Sequence, residues 1–196
     1  MRLREYKRIF ARRHRDEMVG RKSEIEQLLQ HARNARGGLL LLSAPRIGVS
    51  ELMQQVCDEL FATETATVPV YFQFDDRFAE PRETGRRFAL SFLTQLAAFR
   101  RRDPLPIFTS PGIPELRRLA HPRDDGFVEE TIGILSDVNS DEPLSFLRSC
   151  FSLPLRAMAS GIRIALFLDD VHNSPQLIST AAIAELLSRG DAPFVM

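Results

Sequence analysis

Apolar positions along this chain fall into two patterns. Short unbroken runs, Leu39-Leu40-Leu41-Leu42, Val68-Pro69-Val70-Tyr71-Phe72-Gln73-Phe74 and Ile164-Ala165-Leu166-Phe167-Leu168, read as strands in the form a parallel sheet uses. Between them, apolar residues recur at helical spacing: Leu52, Val56 and Leu60; Phe88, Leu90, Phe92, Leu93, Leu96 and Ala97; Leu144, Leu147 and Phe151. The pattern predicts helices over 23–35, 49–61, 83–102, 113–119, 127–135, 143–160 and 175–189, and strands over 38–44, 68–74, 163–170 and 193–196. Ser23 with Glu26 three residues on reads as a capping box. Gly37-Gly38 and Gly161 end helices, and Pro154 is expected to kink the 143–160 helix or end it early. Alternation of helix and strand predicts an α/β fold with a parallel sheet.

Composition narrows the field. A chain of 196 residues, 44% hydrophobic, suits one domain with a real core. Twenty-six basic side chains balance twenty-six acidic ones, so no global field draws it to nucleic acid or a membrane. The exception is local: residues 1–15 carry Arg2, Arg4, Lys7, Arg8, Arg12, Arg13 and Arg15 against Glu5, with Leu3, Tyr6, Ile9 and Phe10 near one helical face. Residues 1–17 therefore read as a basic helical leader packing its apolar stripe on the domain. Cys57 and Cys150 both fall in helical patterns, which argues for a reducing compartment and against a disulfide scaffold. No run approaches a membrane-spanning length and no signal-peptide core is present, so a cytoplasmic location is expected. His14, His31, His121 and His172 show no metal-ligand spacing with the cysteines.

The chemistry concentrates in two places. Ser43-Ala44-Pro45-Arg46-Ile47-Gly48-Val49-Ser50 joins the first strand to a helix, the context of a phosphate-binding loop, G-x-x-x-x-G-K-[ST]. Gly48 and Ser50 match that template; Ser43 and Val49 replace its first glycine and its lysine. Backbone N–H groups of residues 46–50, including Arg46, Ile47 and Val49, are the expected phosphate contacts, with Ser50 on Mg²⁺. Valine has no charge or donor, and a charge-assisted contact to phosphate contributes about 1.5–3 kcal/mol. Binding is expected to weaken and hydrolysis to suffer more, because phosphoryl transfer depends on electrostatic stabilisation. The second place is Arg163-Ile164-Ala165-Leu166-Phe167-Leu168-Asp169-Asp170, an apolar strand ending in two carboxylates where open α/β sheets bind ligands.

These segments, with Met18-Val19-Gly20-Arg21-Lys22-Ser23-Glu24-Ile25-Glu26-Gln27-Leu28, resemble P-loop NTPases of the AAA+ and STAND types, including archaeal-type and origin-recognition-type ATPases, with a degenerate Walker A. Asp169-Asp170-Val171-His172 resembles the L-D-D-hydrophobic-H stretch of STAND regulators. The resemblance runs from about Met18 to Met196 and is weakest over 103–141, read as a helical insertion. It implies a three-layer P-loop fold truncated after the Walker B region, its lid absent. It also implies ATP and Mg²⁺ as ligands, Asp169 as the metal carboxylate, Asp170 as the water-orienting catalytic group, and Arg21 near the adenine. The implied function is an ATP-binding module with impaired or absent hydrolysis. The alternatives are a scaffold that binds no nucleotide and, less favoured on charge, a nucleic-acid-associated module. Implied partners are a protein or the family's C-terminal region, with a homo-oligomer left open. The reading requires the loop and the twin aspartates on neighbouring strands, at the same end of the sheet.

Overall fold

A computed structural model describes residues 8–34, 37–42, 47–75, 80–136, 142–174, 179, 182–183, 185 and 193–196. Parallel strands β1 (Gly38–Leu39), β2 (Thr67–Gln73), β3 (Arg163–Asp169) and β4 (Phe194–Val195) form one sheet in the order β1-β4-β3-β2. β2 and β3 pair over their whole length, from Thr67 opposite Arg163 to Gln73 opposite Asp169. The expectation of neighbouring strands is therefore wrong: β4 lies between β1 and β3. Residues 193–196 prefer that slot because Phe194 and Val195 are apolar on both sides and find a partner strand on each. Since every strand is parallel, the C-terminal ends of β1 and β3, with Asp169 closing β3, still lie at the same end of the sheet.

Helices cover both faces. α1 (Lys22–Asn34) and α2 (Val49–Thr63) pack on one face, where Ile25, Leu28, Leu52 and Val56 meet Ala165, Phe167 and Val195. On the other face lie α3 (Pro81–Arg101), α4 (Leu105–Thr109), α5 (Ile113–Leu119), α6 (Asp125–Ser136), α7 (Pro143–Phe151) and α8 (Leu153–Ala159). There Phe88, Phe92, Leu147 and Phe151 meet Val68, Val70, Phe72, Ile164, Leu166 and Leu168. The alternation of side chains along each strand produces the division, so Tyr71 and Asp169 point to the α1/α2 side. The stretch expected as an insertion contains α4 to α6, which pack against α3.

Several local expectations shift for identifiable reasons. α1 starts one residue early, with the Arg21 carbonyl accepting from Ile25 N–H at 3.1 Å; Ser23 lies inside the first turn, so the capping box does not form. The four leucines do not make a buried strand. β1 is an edge strand, and Leu40 and Leu42 are exposed while Leu39 and Leu41 pack inward. Gly38 is needed there because a Cβ would run into the Phe194 ring. The 143–160 helix breaks at Ser152, with Pro154 in the first turn of the next helix, where its missing N–H is harmless. Residues 8–14 are not helical but form bends, followed by a short 3-10 turn at Arg15–Glu17. Residues 1–7, residues 43–46 and most of the expected 175–189 helix lie outside the described residues.

Candidate functional site

The turn into α2 shows why a glycine is needed at 48. Gly48 takes φ +86, in the left-handed region that L side chains resist, and its carbonyl receives the Leu52 N–H at 3.0 Å. A Cβ placed there meets nothing within 4 Å, so the backbone faces open space. That space is a cleft of about 490 Å³, lined by Gly48, Ser50, Gln54, Gln73, Ile47 and Arg21 among others. Arg21 clamps the turn: its guanidinium donates to the Ile47 carbonyl at 2.9 Å and pairs with Glu24 at 3.2 Å. Of the expected loop contacts, Ile47, Gly48 and Ser50 therefore come together with Arg21. Arg46 lies outside the described residues. The Val49 side chain turns away, packing against the core beneath α1 and α2 and lining a separate groove beside Leu39–Leu42.

Asp169 reaches this cleft through a relay. Ser50 and Gln54 lie one turn apart on α2 and share a face. Gln54 Nε2 donates to the Tyr71 hydroxyl at 2.9 Å, and Tyr71 Oη donates to Asp169 Oδ2 at 2.7 Å. Asp169 Oδ1 accepts the Asp170 N–H at 2.9 Å. Asp169 is 4% exposed, so these bonds are what make its burial tolerable. Burial, and then the neighbouring Asp169 charge, push the Tyr71 phenol far up, which keeps it protonated and donating. Asp170 sits in the left-handed region at φ 52, and its Oδ2 accepts from Gln73 Nε2 at 2.7 Å at the rim. Register explains that contact, because Gln73 stands opposite Asp169 at the ends of β2 and β3.

The geometry bears on the implied MgATP. An open glycine turn, a hydroxyl at Ser50 and the start of a 15-residue helix fit a phosphate group. An ionised carboxylate has about four lone-pair sites, and two at Asp169 are filled by the described donors. Two strand spacings, about 9–10 Å, separate β1 from β3. Among the described residues, no three His, Cys, Asp or Glu side chains gather to hold a metal by themselves.

Sequence reasoning missed Tyr71, Gln54 and Gln73. The available signal was the period-2 pattern of β2, where Val68, Val70 and Phe72 alternate with Pro69, Tyr71 and Gln73. It also missed Asp58, Glu51 and Gln55, which recur at helical spacing on α2 but whose partners lie far away in the chain. Comparison of the chain with family models, with curated proteins and with solved structures finds no match in any of the three.

Proposed function

We propose that the chain is an ATP-binding module of the AAA+/STAND-like P-loop type that holds MgATP weakly and hydrolyses it poorly or not at all. Adjacency of β1 and β3, which the sequence reading required, fails because β4 intervenes; what carries this reading is the left-handed Gly48 turn, which opens α2 into a cleft at the same sheet end as Asp169. Phosphate oxygens would meet the backbone N–H groups at the start of α2, with Ser50 and, through water, Asp169 on Mg²⁺. What MgATP supplies when bound is a polyanion that fills the cleft and couples α2 to the ends of β3 and β2. Impaired turnover follows from two placements. Val49 offers no cation to the cleft, and the Asp170 carboxylate is engaged by Gln73.

A second reading, a scaffold that binds no nucleotide, draws on the same Val49 placement and on the closed Asp169–Tyr71–Gln54 relay. Fluorescent ATP-analogue titration with and without Mg²⁺ separates the two. The proposal expects Mg²⁺-dependent binding that Gly48→Val abolishes. Absence of any binding at millimolar nucleotide supports the scaffold. Steady-state phosphate release is expected to stay near background even when nucleotide is bound.

A further inference from the structure

We propose that residues 8–14 form a strap whose Arg12 and Arg13 supply the cleft with the positive charge that Val49 lacks, for contact with ligand phosphate; this rests on the reading of the cleft given above. The strap is held by neither a helix nor a sheet ladder. Its backbone is gripped by one face of α2, where Glu51, Gln55 and Asp58 recur at helical spacing. Asp58 accepts the N–H groups of Ile9, Phe10 and Ala11 at 3.0, 2.9 and 3.2 Å. Glu51 accepts those of Arg12 and Arg13 at 3.2 and 2.9 Å, and Gln55 Nε2 donates to the Arg13 carbonyl at 2.6 Å. Phe10 closes the grip by packing its ring on Tyr71, 5.7 Å between centroids.

This mode of attachment has an electrostatic consequence. The two carboxylates bond the backbone of the strap, and of its guanidinium groups Arg8 donates to the Arg12 carbonyl at 2.8 Å. Arg12 and Arg13 are exposed and line the cleft with Gly48 and Ser50. Among the described residues, neither guanidinium is paired with a carboxylate, whereas Arg21 is committed to Glu24 and the Ile47 carbonyl. Glu17 and Glu51 also line the cleft, but both oxygens of Glu51 face the strap's own N–H groups. An arginine fork suits phosphate oxygens, and a cation arriving on a separate segment needs no lysine in the turn.

The test uses the full chain, calorimetric titration with MgATP and with inorganic tripolyphosphate, and hydrogen exchange of the amides of residues 9–13. Wild type is expected to bind both probes and to protect those amides further when MgATP is added. Arg12→Ala with Arg13→Ala should weaken both probes by about tenfold or more while the amides stay protected. Asp58→Ala should free the amides and weaken binding to a similar degree, with unchanged exchange in β3 as the control for folding. Lysine at both positions should recover part of the loss. Wild-type affinity in the double alanine variant, with the strap still protected, would overturn the proposal alone. A loss confined to MgATP would overturn the phosphate assignment. Failure of wild type to bind either probe would remove the reading of the cleft, and the strap's role with it.

Discussion

The two faces of the sheet are built on different principles. On the α3 side, aromatic rings pack on one another: Phe88 stacks on Phe151 at 4.3 Å and meets Phe72 edge-on at 5.2 Å, and Phe74 stacks on Phe151 at 5.6 Å. On the α2 side, the apolar packing is smaller and shares space with Gln54, Tyr71 and Asp169, all buried and linked in series through the Tyr71 hydroxyl. The first arrangement gains mainly from burial of area, and its buried polar side chains, such as Gln95, Asp124 and Thr131, are each hydrogen-bonded. The second retains polar groups at the cost of desolvation, and only a complete bond network offsets that cost. The contrast places the aromatic core on one face and the buried polar relay on the other.

Substitutions on each face should separate accordingly. The largest effect is expected from Phe88→Ala, which empties a fully buried ring site and should cost about 3–5 kcal/mol in denaturant unfolding. Nucleotide affinity of the molecules that remain folded should not change. A weaker but still large loss, about 2–4 kcal/mol, is expected for Gln95→Leu. Gln95 Oε1 accepts the Tyr71 N–H and its Nε2 donates to the Tyr71 carbonyl, both at 2.8 Å. The side chain thereby serves the open edge of β2 as a neighbouring strand would, and leucine would leave two buried backbone groups without partners.

Tyr71→Phe sharpens the comparison because it keeps the ring and removes one hydroxyl. The Asp169 carboxylate and the Gln54 amide each lose a partner, so a cost of about 1–3 kcal/mol is expected. Unlike Phe88→Ala, this change should also alter the Mg²⁺ dependence of nucleotide binding; unaltered dependence would argue against Asp169 as the metal carboxylate. The smallest effect concerns the thiols. Burial pushes the Cys150 thiol up to about 12 and Cys57 well above its ordinary value. Neither should react with a disulfide reagent at about pH 8 until the chain unfolds. Rapid labelling of Cys57 alone would show that the α2 face opens more readily than the α3 face.

The fold was legible where one physical signal dominates. The unbroken run 164–168 is buried on both faces, and α5 matches its expected bounds because Pro114 and the Leu116 contact leave little alternative. The sheet order was not legible. Which strand takes the slot beside β1 depends on long-range pairing, and only two residues of β4 decide it. Around the cleft, Gly48 and Ser50 were marked by the spacing of the turn and Asp169 by its place at the end of an apolar run, whereas Arg21 entered only through the family resemblance. The strap was misread as a helix because its basic and apolar residues recur suitably, while the forces that set its path come from Asp58 and Glu51, more than thirty residues away in the chain. Tyr71 was read as strand filler because its hydroxyl acquires meaning only when β3 brings Asp169 beside it.

The central claim is that the glycine turn at the start of α2 is a phosphate cradle. Backbone amide NMR of the full chain during MgATP titration tests it most directly. Saturable shifts should appear at Gly48, Val49 and Ser50, with smaller ones at Tyr71 and Asp170. Shifts that leave those three amides unmoved, or none at all at millimolar MgATP, would contradict it.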